Sequence, residues 1–96
     1  MRYVYQVTTQ HFDPPPVSCP ANLGFFSNPG AATRHLDECI KDRLSRKMAA
    51  TYRGAEVKPR SKYWPEWVMY VVDIEVDRIL SERLRLVRYP ISGGPK

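Results

Sequence analysis

Trp67-Val68-Met69-Tyr70-Val71-Val72-Asp73-Ile74-Glu75-Val76 is the stretch whose reading decides the fold. Val68, Tyr70, Val72, Ile74 and Val76 alternate on one face. Trp67, Met69, Val71, Asp73 and Glu75 alternate on the other and grade from apolar to acidic. A period of two in β-branched and aromatic residues predicts a strand over 66–77, its first face on a core and its second half solvated. Downstream, Leu84 and Leu86 alternate with Arg83 and Arg85, with Arg88 farther on. That pattern predicts a second strand within 78–89, hairpinned onto the first. A helix through Ile79, Leu80, Leu84 and Val87 fits the same residues, and the hairpin is the preferred reading.

Upstream, residues 2–9 repeat the strand pattern, with Tyr3, Tyr5 and Val7 on one face and Val4 opposite. His11 to Pro20 carries Pro14, Pro15, Pro16 and Pro20, which lack the amide donors a ladder needs, so a stiff loop is expected. Leu23-Gly24-Phe25-Phe26 returns to the core. Ser27 or Asn28 can cap a helix whose first position suits Pro29. Leu36, Cys39, Ile40, Leu44 and Met48 mark its buried stripe and predict a helix reaching about Ala50. Residues 51–62 are polar, basic and broken by Gly54 and Pro59, so they read as a loop with a short strand near 55–58. The expectation is an α+β fold, one main α-helix packed on a three- to four-stranded antiparallel sheet, with a single domain over 1–91 and a flexible tail over 92–96. A chain of 96 residues buries roughly 60–65% of its unfolded surface, enough for one two-layer core.

Charge is concentrated. Of 15 basic residues, eight fall between Lys41 and Lys62, where only Asp42 and Glu56 oppose them, so the window carries +6 of a chain total of +5. A field of that kind favours an anionic partner. Tyr52, Tyr63, Trp64 and Trp67 lie in or just past the window. Cations beside exposed rings suit phosphates and unstacked bases, and Trp, Tyr and Arg also dominate protein interfaces. The candidate binding residues are therefore Arg43, Arg46, Lys47, Tyr52, Arg53, Lys58, Arg60, Lys62, Trp64 and Trp67. Pro65, between the two tryptophans, makes it hard to bury both rings in one regular strand.

No catalytic motif stands out. The chain has no Gly-x-Ser-x-Gly elbow and no Gly-rich phosphate loop. Asp37 and Glu38 diverge by about 100° on a helix. Asp73 and Glu75 share a strand face, where charges discourage edge pairing. His11, Cys19, His35 and Cys39 form a zinc-compatible donor set, with His35 and Cys39 one helical turn apart. Cys39 also lies on the core stripe, and the reading taken is a buried thiol with ordinary histidines, no metal and no cofactor. Two cysteines are too few for a disulfide framework. No apolar run approaches 18 residues, and the N-terminus opens on a strand pattern without a signal-peptide core, so a cytoplasmic, non-membrane product is expected.

The run Tyr3-Val4-Tyr5-Gln6-Val7, then Leu23-Gly24-Phe25-Phe26-Ser27 opening a helix with Ala31-Ala32, then Tyr70 to Val76, resembles the small β-α-β-β proteins of bacteriophages and mobile elements. Several anti-CRISPR and other host-takeover proteins share this size and layout. The resemblance implies no catalytic residues. It implies docking on a host protein complex in the bacterial cytoplasm and blocking it. Many such inhibitors are acidic DNA mimics; a basic chain points instead to an acidic groove, or to nucleic acid held within a complex. The first expectation is thus a non-enzymatic inhibitor on a host protein or nucleoprotein complex. The alternative is direct nucleic-acid binding by the 41–62 window, and the third a small enzyme or toxin-like nuclease with His35 or His11 as base. A homodimer through Trp67, Met69 and Val71 is a further outcome of the same pattern.

Overall fold

A computed structural model describes residues 2–46, 48–58 and 67–91. The elements run β1 (Arg2–His11), β2 (Ala21–Phe26), α1 (Pro29–Arg46), β3 (Ala50–Glu56), β4 (Trp67–Val76) and β5 (Ile79–Ile91). All strand pairs are antiparallel, and the sheet order is β2-β1-β5-β4-β3. The fold is α+β with one helix on an antiparallel sheet, as expected, but the sheet has five strands rather than three or four. The segment read as a loop over 51–62 begins as edge strand β3. Its side chains are mostly exposed, so it carries no alternation of apolar residues to announce it. The apolar run 23–26 belongs to β2, the opposite edge.

The helix starts where its chemistry places it. Asn28 Oδ1 accepts the Ala31 amide at 2.8 Å, the N-cap bond, and Pro29 takes the first helical position. Ala32, Leu36, Cys39 and Ile40 are buried, and Leu44 packs beside them. The helix ends at Arg46 rather than near Ala50, and Met48 lies past its end, 93% exposed rather than on the core stripe. Ala49 has φ 59°, which turns the chain into β3.

The core joins α1 to one sheet face through Val7, Leu84, Leu86, Val72 and Ile74. On β4 the expected face is interrupted. Val68 pairs with Val87 and Tyr70 with Leu86, so Met69 is an extra residue in a β-bulge. The bulge leaves Tyr70, Val72 and Ile74 toward the helix and turns Val68 to the opposite face. Met69 packs against the core, so Trp67, Met69 and Val71 do not form the continuous strand face that the dimer expectation required. On β3, a Cβ at Gly54 would stand 2.6 Å from the Tyr70 hydroxyl oxygen, so glycine admits that ring to the strand.

Residues 79–91 are strand, as the hairpin reading required. The β4–β5 connection is Asp77-Arg78, with φ 52° and 67°. Two positive φ values in a two-residue loop make the type I′ turn, whose twist matches the strands but which favours Asn-Gly or Asp-Gly. Arg78 therefore holds an unfavourable backbone conformation imposed by strand pairing. Arg78→Gly should raise stability by about 1 kcal/mol. A rise in the urea midpoint at unchanged slope checks it, and a fall would refute the turn assignment.

The charge expected to cluster is partly spent on fastening the helix. Glu82 on β5 is 1% exposed. It accepts hydrogen bonds from the Thr9 hydroxyl and from the Arg43 Nε–H, the latter at 3.1 Å to Oε1 and 3.3 Å to Oε2. Arg43 Nη1 reaches Asp42 at 2.8 Å. Burial pulls the Arg43 pKa down, but the hydrogen bonds and charges of Glu82 and Asp42 outweigh it and hold the guanidinium above its ordinary value.

Candidate functional site

One helix covers one side of a five-stranded sheet, and among the described residues no helix lies on the other. The uncovered face follows from the registers. It carries Gln6, Thr8 and Gln10 from β1, Arg83, Arg85, Val87 and Tyr89 from β5, Val71 and Asp73 from β4, and Arg53 from β3. Cross-strand neighbours Gln10, Arg83, Asp73 and Arg53 form one polar row. Thr8, Arg85, Val71 and Ala55 form the next.

In the polar row the central charges satisfy each other. Arg83 Nε meets Asp73 Oδ1 at 2.6 Å and Nη2 meets Oδ2 at 3.3 Å, a forked pair. The Arg83 guanidinium also lies 5.3 Å from the Phe12 ring centroid. The hydrogen bonds it donates to Asp73 are the main reason the Arg83 pKa stands above the ordinary arginine value.

Arg85 has a different environment. Its Nη1 donates to Gln10 Oε1 at 3.1 Å, and among the described residues no carboxylate forms a bridge with it. Burial, then repulsion from Arg83, lowers its pKa from the ordinary value, with the charge of Asp73 opposing. A partly desolvated guanidinium with no bridging carboxylate favours an anion beside it.

The surroundings form a receptor around that cation. Arg85 lies in a concavity of about 530 Å³ on the uncovered face, with Thr8, Gln10, Tyr89, Lys58 and Trp67 among its lining residues. Gln10 is oriented from both ends: its Nε2 donates to the Ser18 carbonyl at 2.9 Å while its Oε1 accepts from Arg85. Ser18 in turn exchanges bonds with His11, its amide to the His11 carbonyl and its hydroxyl from the His11 amide, both at 2.9 Å. The proline loop thus serves as a wall, and Pro20 belongs to the lining. Trp67 is fixed by its Nε1–H to the Val57 carbonyl at 2.7 Å. From the helix-side face, where register puts it with Tyr3, the Arg88 guanidinium lies 4.8 Å from the Trp67 ring centroid and 4.0 Å from the Tyr3 ring centroid, so Trp67 bridges the two faces at this end of the sheet.

The basic window does not form one patch. Arg43 is committed to Glu82. Arg46 bridges Asp42 at 3.1 Å across one helical turn. Arg53 stands on the uncovered face opposite Asp73, and Tyr52, 57% exposed, points to the helix side of the same strand. Lys58 and Trp67 reach the Arg85 concavity. Lys47, Arg60, Lys62 and Trp64 lie outside the described residues. The residues that the sequence reading passed over as site candidates are Arg83, Arg85, Gln10 and Tyr89. Their signal was present in the Arg-Leu-Arg-Leu alternation, which was read only as strand evidence.

The zinc-compatible set does not converge. His35 Nε2 hydrogen-bonds the Leu23 carbonyl at 3.1 Å, and its ring packs against Phe26 at a tilt of 41° with centroids 5.1 Å apart. Cys39 is buried and its thiol pKa is raised mainly by that burial, while Cys19 is exposed on the proline loop. Among the described residues no group of three or more His, Cys, Asp or Glu side chains is arranged to hold an ion. No helix among them is long and apolar enough to cross a membrane. Comparison with known protein families, with curated proteins and with solved structures finds no match to this chain.

Proposed function

We propose that this chain is a non-enzymatic binding protein that docks, through the uncovered face of its sheet, on an acidic host protein or nucleoprotein complex and blocks it in the cytoplasm. The observation that carries this reading is Arg85, a partly desolvated guanidinium in an open concavity with no carboxylate bridged to it. Its neighbourhood mixes valines, tyrosine, tryptophan and arginine, the composition of interface centres. The resemblance to small phage proteins of the host-takeover type points the same way. The docking cations proposed are Arg85, Lys58 and Arg53. Arg43 and Arg46 are left out because carboxylates already hold them.

The test is partner capture from host lysate with tagged wild type beside the Arg85→Gln/Lys58→Glu double variant. Wild type should retain a stoichiometric partner that elutes as salt rises, and the double variant should lose it. Equal capture by both proteins would sink the proposal. A variant reversing Arg46 should retain the partner, because that residue is bound up at the helix end.

A further inference from the structure

The geometry points to a single-stranded nucleic acid as the anion that the Arg85 concavity takes, with phosphate on Arg85 and Lys58 and a base against Trp67 or Tyr89. This rests on the docking reading above and names the chemistry of the partner at its centre. Three observations favour a nucleotide over an acidic peptide. First, cation and aromatic groups line the same concavity: Arg85 and Lys58 with Trp67 and Tyr89. A protein interface uses the same residue types, but a cation and a ring brought together in one small concavity serve a phosphate and its stacked base at once, since stacking accepts any base and phosphate needs donors. Second, the volume, about 530 Å³, falls within the range of small-ligand sites and suits a nucleotide unit rather than a helix or strand of a protein partner.

Third, the cation is preorganised. Arg85 spends one donor on Gln10, whose amide is locked by the Ser18 carbonyl, so the remaining guanidinium donors are held in place for a phosphate. Thr8 and Gln10 add hydroxyl and amide groups to the lining, the kind that meet sugar and phosphate oxygens. Along β5, Arg85 and Tyr89 are four residues apart on one face, about 13 Å. That span suits successive nucleotides of an extended strand better than one free nucleotide. The face is narrow and carries few cations, and a duplex backbone demands more contacts.

The experiment compares a short oligothymidylate, thymidine monophosphate and a polyglutamate matched to the oligonucleotide in charge. Trp64→Phe is used as the background because the chain has two tryptophans, which leaves Trp67 as the single reporter. The oligonucleotide should bind at least about tenfold more tightly than polyglutamate and quench Trp67 emission. Its log affinity should fall with log salt at a slope of roughly −1.4, the value for two phosphate contacts on a single strand. Arg85→Gln should weaken it about tenfold or more. Lys58→Glu, at an exposed position, should act in the same direction and guards against an Arg85 variant that does not fold.

Equal affinity for oligonucleotide and polyglutamate, without quenching, would overturn the nucleotide assignment and leave the anionic docking face standing. Monophosphate binding as tightly as the oligonucleotide would replace the strand by a free nucleotide and also overturn the inference. Failure of all three ligands, together with intact partner capture by the Arg85→Gln/Lys58→Glu double variant, would remove both readings.

Discussion

Glu82→Ala is expected to destabilise the protein by about 3 kcal/mol, because it takes the buried carboxylate from Arg43 and leaves only the half-exposed Asp42 against a partly buried guanidinium. A domain of this size has roughly 5–14 kcal/mol in total, so a large share of the folded population is at stake. Glu82 is 1% exposed and joins three elements: its own strand β5, β1 through the Thr9 hydroxyl, and α1 through Arg43. His11 adds little, since its Nε2 stands 3.9 Å from the carboxylate on a half-exposed ring. Removing the acid alone strands the Thr9 hydroxyl and leaves the Arg43 Nε–H without its acceptor, with Asp42 holding only Nη1. Removing both charges together should be far milder, and Arg43→Leu/Glu82→Leu should recover most of the loss, since apolar replacement of a buried pair is often neutral or better. Urea midpoints of the two single variants and the double variant measure the coupling. A Glu82→Ala loss under about 1 kcal/mol would show that water reaches the pair and that the helix is held by its apolar stripe alone.

The bridge and the proposed binding face are separable. Glu82, Thr9 and Arg43 lie on the helix side of the sheet, and Arg85, Gln10 and Thr8 on the other. Adjacent residues of one strand thereby serve opposite ends, because the period of two sends alternate side chains to opposite faces. The Arg-Leu-Arg-Leu run of 83–86 illustrates it: Leu84 and Leu86 build the core, while Arg83 and Arg85 stand outside it.

How much of this was legible depended on whether the deciding contact was local. The Asn28 cap, the Pro29 start and the β4 alternation from Tyr70 to Ile74 are properties of a few consecutive residues, and each appeared where the sequence put it. The strand at 50–56 was legible only at its end, where a short strand near 55–58 was expected, because an exposed edge strand needs no apolar alternation and is formed by the pairing of Arg53 with Asp73 and its neighbours. The bulge at Met69 was hidden for a related reason: nothing in Val68-Met69-Tyr70 marks which residue is the extra one until β5 fixes the register. The candidate site depended on the longest reach. Gln10 and Arg85 are 75 positions apart and meet only because β1 inserts between β2 and β5. The +6 window stands out by composition, yet its Arg43 and Arg46 are bound by carboxylates; of the docking cations proposed, Lys58 and Arg53 come from the window and Arg85, at the centre of the concavity, from outside it.

Leu84→Ala and Met48→Ala form the contrast that tests where the core ends. Leu84 is fully buried on the central strand, between Thr9 and Val72 in register, with the helix stripe above it. Truncating it removes transfer free energy and leaves a cavity that flanking strands cannot close, so a loss of about 2–5 kcal/mol is expected. Met48 was expected from helical spacing to share that core, but the helix stops at Arg46 and the side chain is 93% exposed. Its truncation should change stability by less than about 0.5 kcal/mol. Urea unfolding at constant slope reads both. If Met48→Ala cost as much as Leu84→Ala, the helix would have to continue past Arg46 and carry Met48 onto the sheet. The positive φ at Ala49 and the start of β3 at Ala50 oppose that arrangement, because a chain that turns left-handed one residue after Met48 cannot also present it to the helix stripe.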